Sequence, residues 1–226
     1  MTITYTWLGH GTGQLLVGDI NILVDPFLTG NPAASVKADD LNPDYILVSH
    51  GHSDHVADLV PIAKRTGATI IANNEIAMWC EAQGLKAHGQ HIGGGHDWPF
   101  GYVKLTQALH GSVMPDGSNG GNPAGFLVCT PDQKIYLACD TGLFAGMSLI
   151  GDEGIDLAVL PIGDNYTMGP ADALRAAKLL RAQHLIPVHY NTFPLLAQDA
   201  PAWKAQVEAA TGSQVHVLQP GESLMV

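Results

Sequence analysis

Tyr45-Ile46-Leu47-Val48-Ser49-His50-Gly51-His52-Ser53-Asp54-His55 joins a short apolar run directly to three imidazoles and a carboxylate. The run has the length and character of a buried strand. Four ionisable side chains crowded at the end of such a strand would repel one another and stay poorly solvated unless a cation held them together. The spacing adds detail. His50 and His52 are two apart, so an extended backbone turns both to one side, whereas Asp54 and His55 follow a bend and can face a second ion. The pattern differs from the i, i+4 helical histidine pair of zinc proteases.

Working outward, three more ligand types follow strand-like runs. His110 comes after Val103 to Leu109, Asp140 after Ile135 to Cys139, and His189 after Leu185 to Val188. Near the start, Asp25 closes Ile22-Leu23-Val24. Taken together, His-x-His-x-Asp-His, then a single His, a single Asp and a last His, the set resembles the metallo-β-lactamase superfamily of binuclear metal hydrolases. The opening Trp7-Leu8-Gly9-His10-Gly11 is similar to that of its small metal-dependent hydrolases, relatives of ascorbate-6-phosphate lactonase. The resemblance covers nearly the whole chain.

That resemblance implies an α/β fold, a four-layer αββα sandwich, with one metal on His50, His52 and His110. The second would take Asp54, His55 and His189, and Asp140 would bridge the two. It implies two divalent transition-metal ions; His and Asp donors suit zinc first, and also manganese, iron or nickel. Asp54, His10 and Asp25 are the expected catalytic side chains. Asp25 is expected to orient the metal loop, because a ligating histidine needs its other ring nitrogen held. His10 is expected in the same cleft, against the competing reading of an exposed turn histidine. No Gly-x-Ser-x-Gly elbow is present, consistent with a water rather than a side chain as nucleophile. The stretch between Asp140 and His189 leaves no room for the extra domain of RNA-processing nucleases. Diiron reductases carry Glu where His52 stands, and the best-known β-lactamases carry Cys where Asp140 stands. Cys139 is expected to face away from Asp140 along an extended strand. A metal-stabilised binding module without chemistry is the alternative from another functional class.

The 226 residues include 21 acidic and 10 basic side chains, a formal charge of −11, which opposes a nucleic-acid surface. The 11 histidines outnumber lysine plus arginine and support metal chemistry independently of the motif. Cys80, Cys129 and Cys139 form no Cys-x-x-Cys pair and read as reduced core residues. Neither a basic leader nor a long apolar span is visible, so a soluble cytoplasmic protein with no membrane partner is expected. The expected partner is a small-molecule substrate, and a homo-oligomer stays open.

In chain order, residues 2–7, 14–17 and 20–24 read as antiparallel strands, with Gly18-Asp19 as a hairpin turn. Residues 27–43 read as a loop or flap, with Lys37 as the one basic side chain in reach of a cleft. Helices are expected over 57–65 and from Asn74, as the cap, to Gln83, then over 171–182 and 201–210, with strands between them. The glycine-rich 111–125 segment is expected to border the cleft and to close over substrate. Asp164, Tyr166, Tyr190 and Asn191 lie after strands and are expected near substrate. His88, His91 and His96 are assigned to the surface, and His184 and His216 to structural roles. With no linker visible, 1–226 reads as a single domain.

Overall fold

The computed structural model describes residues 2–226. Strands β1 (Ile3–Gly9), β2 (Thr12–Val17), β3 (Ile20–Val24) and β4 (Tyr45–Val48) lead into helices α1 (Ser53–Val56) and α2 (Leu59–Thr66). Then come β5 (Thr69–Asn73), α3 (Asn74–Glu81), β6 (Ala87–Gln90), β7 (Gly95–Trp98), β8 (Gly101–Gln107), β9 (Ala124–Cys129) and β10 (Lys134–Leu137). Helix α4 (Met147–Gly151), β11 (Leu157–Pro161), α5 (Pro170–Leu180), β12 (His184–Val188), α6 (Ala200–Ala210), β13 (Gln214–Val215) and β14 (Ser223–Met225) complete it.

The strands form two sheets, ordered β14-β1-β2-β3-β4-β5-β6 and β13-β12-β11-β10-β9-β8-β7. Each begins with antiparallel pairs and ends with parallel ones, from β3 to β6 in the first and from β10 to β13 in the second. Side-chain alternation assigns the faces. Leu47 and Ile71 join the core shared by the two sheets, while their neighbours Ile46, Val48, Ile70 and Ala72 pack under α2 and α3 with Ile62 and Ile76. On the other side α5 buries Ala173, Ala176, Ala177 and Leu180, and α6 buries Trp203 and Val207. The result is the four-layer αββα arrangement expected from the resemblance.

Because β1, β3 and β4 run parallel in one sheet, and β8, β10 and β12 in the other, the carboxyl ends of all six converge on one edge. His10, Asp25, His50, His110, Asp140 and His189 follow those ends. At four of them the chain turns through a left-handed residue that is not glycine: His10 (φ 56°), Asp25 (φ 46°), Cys139 (φ 51°) and His189 (φ 56°). Each such position costs about 1–3 kcal/mol, and the four lie around one point.

Several local expectations are corrected. The helix after the metal loop starts earlier, as the single turn α1 inside the motif, and α2 is separate. Asn73, not Asn74, caps α3, its side chain accepting from the Ile76 N–H at 2.9 Å. Strand β7 was not expected, since Gly95-His96-Asp97-Trp98 lacks alternation; antiparallel pairing with β8 extends it instead. The 27–43 segment is no flap: Asp58 accepts from the Leu28 N–H (2.7 Å), the Thr29 N–H (2.9 Å) and the Thr29 hydroxyl (2.6 Å), and Leu28 and Leu41 are buried. Among the described residues no helix is long and apolar enough to cross a membrane.

Candidate metal centre

His50 and His52 follow β4, His52 on extended backbone, and bring Nε2 of His50 to 3.0 Å from Nδ1 of His52. From β8, His110 brings its Nε2 to 3.2 Å from the same His52 nitrogen. A tetrahedral ion bound at about 2.0–2.1 Å to nitrogen holds its ligand atoms about 3.3 Å apart. His52 Nδ1 stands at nearly that spacing from the other two nitrogens, and all three lie within 4.8 Å of one another, so the set fits a metal ion.

The hydrogen bonds behind them fix the tautomers. Asp25 accepts from the Ser49 N–H at 2.8 Å and the Ser49 hydroxyl at 2.5 Å. With its only proton given to Asp25, the Ser49 oxygen must accept from Nδ1–H of His50 at 2.8 Å. Burial and the neighbouring His55 hold His50 well below the usual imidazole range, so its Nε2 presents a lone pair. Asp25 also accepts from Nδ1–H of His55 at 2.9 Å. One buried carboxylate thus orients two rings, and it does so from behind, since Asp25 does not line the cleft.

A second donor set sits beside the first. Oδ2 of Asp140 lies 3.1 Å from Nε2 of His189, 3.4 Å from Nε2 of His55 and 3.6 Å from Nε2 of His110, between the two sets. Asp54, on α1, places Oδ2 4.0 Å from Nε2 of His55. Potential ligand atoms of His10, Asp54, His55 and His189 lie within 4.8 Å of one another, as do those of His50, His52 and His110. Nε2 of His55 and both ring nitrogens of His189 are buried without a hydrogen-bond partner. Buried ring nitrogens without partners, converging with carboxylates, fit bound metal cations.

His10 is fully buried, not an exposed turn residue. Its Nε2 is 3.1 Å from Asp54 Oδ2 and its Nδ1 2.9 Å from the Thr192 hydroxyl. A carboxylate can only accept, so His10 carries its proton on Nε2 and Thr192 donates to Nδ1. Burial lowers the His10 pKa to about 4 despite the Asp54 contact. Burial alone would raise the Asp54 carboxyl, yet His10 and His55 hold it below its ordinary value.

For Asp140 burial is likewise outweighed, by His189 and His55, and its pKa falls well below the carboxylate range. Burial opposes the charge on His55, but Asp140 and Asp25 raise that ring well above the usual value. A cation bound at Nε2 of His55 must therefore displace a proton. Zinc loading near pH 7 is expected to release protons, and affinity to fall about tenfold per pH unit on acidification for each proton displaced. Titration with an indicator dye at pH 6, 7 and 8 checks this; uptake without proton release would show a neutral ring.

The other expected residues divide. Tyr166 lines the cleft, but Tyr190 is buried in a stack on Trp7 with ring centroids 5.3 Å apart. Asp164 accepts from the Asn165 N–H at 2.8 Å and Asn191 from the Gln198 N–H at 2.8 Å, both outside the cleft lining. Cys139 is not on extended backbone, since β10 stops at Leu137; desolvation with Asp25 and Asp140 nearby raises its thiol, and it does not line the cleft. The 111–125 segment is tied to the metal loop rather than poised over it. The Ser112 hydroxyl accepts from the Gly51 N–H at 3.1 Å, Asn73 donates to Gly120 and Asn122, and Met114 is buried. His184 and His216 pair at 3.1 Å, and His88 meets His96 at a tilt with ring centroids 4.4 Å apart, both away from the cleft. Ser49 and Thr192 escaped the sequence reading, although each adjoins a ligand motif. So did the cleft residues Phe27, Ala57, Phe193, Leu195 and Leu196, which carry no chemical signature.

Residues 20–190 match the family model described as beta-lactamase superfamily domain. A UPF0173 metal-dependent hydrolase of Heliobacterium modesticaldum is 51% identical over 227 residues, covering 97% of this chain and 95% of that protein. One from Desulforamulus reducens is 51% identical over 228 residues, covering 98% and 99%. Among solved structures, Igni18, a metallo hydrolase from the archaeon Ignicoccus hospitalis, superposes with a TM-score of 0.93 at 35% identity, covering 100% of this chain and 99% of that one. With the family model matched over most of the chain and full-length identity of this size, the chain belongs to the beta-lactamase superfamily, among the UPF0173 metal-dependent hydrolases.

Proposed function

We propose that the protein is a binuclear metal-dependent hydrolase of a small ester, lactone or phosphodiester. The observation that carries this is Asp140, whose one oxygen reaches nitrogens of both donor sets. His50, His52 and His110 would hold one ion, and Asp54, His55 and His189 the other, with Asp140 between them. When bound, a pair of divalent ions lowers the pKa of a water to about 7 and polarises the scissile oxygen. Asp25 keeps the proton of His55 on Nδ1 and, through Ser49, that of His50 on Nδ1 as well. His10 fixes the Asp54 carboxylate, and Thr192 fixes His10. Zinc is the favoured ion for this donor set, and the cytoplasm the proposed compartment, where the free thiols of Cys80, Cys129 and Cys139 stay reduced.

Charge narrows the substrate. The cleft, about 600 Å³, is lined by no lysine or arginine among the described residues, and Lys37 caps the short turn Ala38–Asp40 outside it. A phosphomonoester usually needs such a clamp beyond the metals. Nucleic acid is opposed by the same lining and by the charge of −11.

The test joins metal analysis to turnover. About two equivalents of zinc per chain are expected after reloading, and higher kcat/KM on p-nitrophenyl acetate or bis-p-nitrophenyl phosphate than on p-nitrophenyl phosphate. Less than one equivalent would sink the binuclear reading. Metal binding with no turnover on a broad ester panel would favour a binding module instead.

We also propose that 1–226 forms a single domain, supported by one apolar core that takes in residues from both sheets. Limited proteolysis is expected to leave no two stable fragments of similar size.

A further inference from the structure

The cleft has two chemically different walls. The polar lining is His10, His52, Ser53, Asp54, His110, Asp140 and His189; the apolar lining is Phe27, Ala57, Tyr166, Phe193, Leu195 and Leu196. The rings of Phe27 and Phe193 meet His10 edge-on at centroid distances of 5.6 and 5.7 Å, so the apolar wall begins where the donor wall ends. Phe193 and Leu195 are 40% and 59% exposed. Large apolar side chains held open to water beside a reactive centre mark a surface that something covers.

Their position is built rather than loose. Pro194–Leu196 is a single helical turn closed by Leu196 N–H to Phe193 O at 2.9 Å, and Asn191 N–H reaches Leu196 O at 2.9 Å. Leu196 is buried and anchors the turn, while Gln198 ties it to Gly163 through a bond of 3.1 Å. Apart from the Tyr166 hydroxyl, no side chain of this wall offers a hydrogen bond. A charged or strongly polar group placed there would lose its water without a replacement partner. A cleft near 600 Å³ falls within the range of about 300–1,000 Å³ that encloses small ligands.

Resting on the hydrolase reading above, we propose that this wall is a substrate subsite for an uncharged alkyl or aryl substituent, with Phe193 and Leu195 setting the preference. The natural substrate is then a hydrophobic ester or lactone rather than a sugar or nucleotide derivative.

The test uses zinc-loaded protein and two series followed by pH-stat, methyl acetate to methyl octanoate and methyl acetate to octyl acetate. In one series kcat/KM is expected to rise about two- to fourfold per methylene until the wall is covered. Calorimetric titration with acetate and hexanoate, the products of the acyl series, and with ethanol and hexan-1-ol, those of the alcohol series, gives a readout independent of turnover. In whichever series rises, the longer product should bind more tightly. Phe193→Ser with Leu195→Ser is expected to flatten the rising slope, and Phe193→Leu with Leu195→Phe to keep it. Active enzyme with both series flat, and with no gain from hexanoate or hexan-1-ol, overturns the subsite. A dimer that dissociates on the serine substitutions would assign these side chains to a subunit contact and also overturn it. No turnover with metal bound on these esters, on p-nitrophenyl acetate or on bis-p-nitrophenyl phosphate overturns the hydrolase reading instead, and the product titrations then still decide what the wall binds.

Discussion

Asp140→Asn is expected to lower kcat/KM by about 10³-fold or more and to leave only one tightly held metal equivalent per chain. The substitution keeps shape and removes charge at the one oxygen that lies 3.1 to 3.6 Å from His189, His55 and His110. Metal content by elemental analysis and turnover on the best ester are the two readings. Two retained equivalents would show that Asp140 does not bridge. The metal-free protein gives an independent signature. His55 has a raised pKa, so its contribution to stability is fully present below its unfolded value and lost as pH rises through the folded one. Asp140 has a lowered pKa, so its contribution is present above its unfolded value and lost as pH falls through the folded one. Both are complete between about pH 4 and 6.5. In chelator-treated Asp140→Asn that advantage should shrink, because His55 loses its strongest anionic neighbour.

The candidate ligands that meet at one edge could be read from the sequence because metal chemistry tolerates few residue types and because four of them follow an apolar run that announces a strand end. His50, His110, Asp140 and His189 have that signature. The layer order was legible only through the resemblance: the unbroken apolar run Tyr45 to Val48 shows a strand with two covered faces, not which sheet it joins. Strand β7 stayed hidden because Gly95 to Trp98 owes its conformation to β8, a contact between partners and not a preference of its own residues. The cap at Asn73 was displaced by one residue because two asparagines stand together and only the backbone angle selects between them. The apolar wall was invisible for a different reason. Phe27 and Phe193 come from opposite ends of the chain, and nothing in either segment distinguishes a cleft phenylalanine from a core one.

Asp25 is the residue whose loss should spread furthest from a position that never touches the cleft. Its carboxylate accepts three hydrogen bonds, from the Ser49 N–H and hydroxyl and from His55 Nδ1, at 2.8, 2.5 and 2.9 Å. Asn in its place has one acceptor oxygen and one donating amide. If the amide group takes the Oδ2 position it meets Nδ1 of His55 as a donor, forcing the ring proton onto Nε2, where a metal ligand needs a lone pair. In the opposite orientation the amide group faces the Ser49 N–H, and two buried donors confront each other at about 1–3 kcal/mol. Either arrangement damages the site. Asp25→Asn is therefore expected to weaken zinc binding about 10–100-fold, within the range for lost outer hydrogen bonds to metal-binding histidines. Competition against a chelating dye measures the affinity, and circular dichroism with thermal melting of the metal-free protein separates that loss from unfolding. Asp25→Glu is no rescue, since the longer side chain has no space between Ser49 and His55 in a site that is 1% exposed. An Asp25→Asn protein that binds zinc as tightly as the parent would show that the two histidines keep their tautomers without it, and that the ring protons are set by the metals alone.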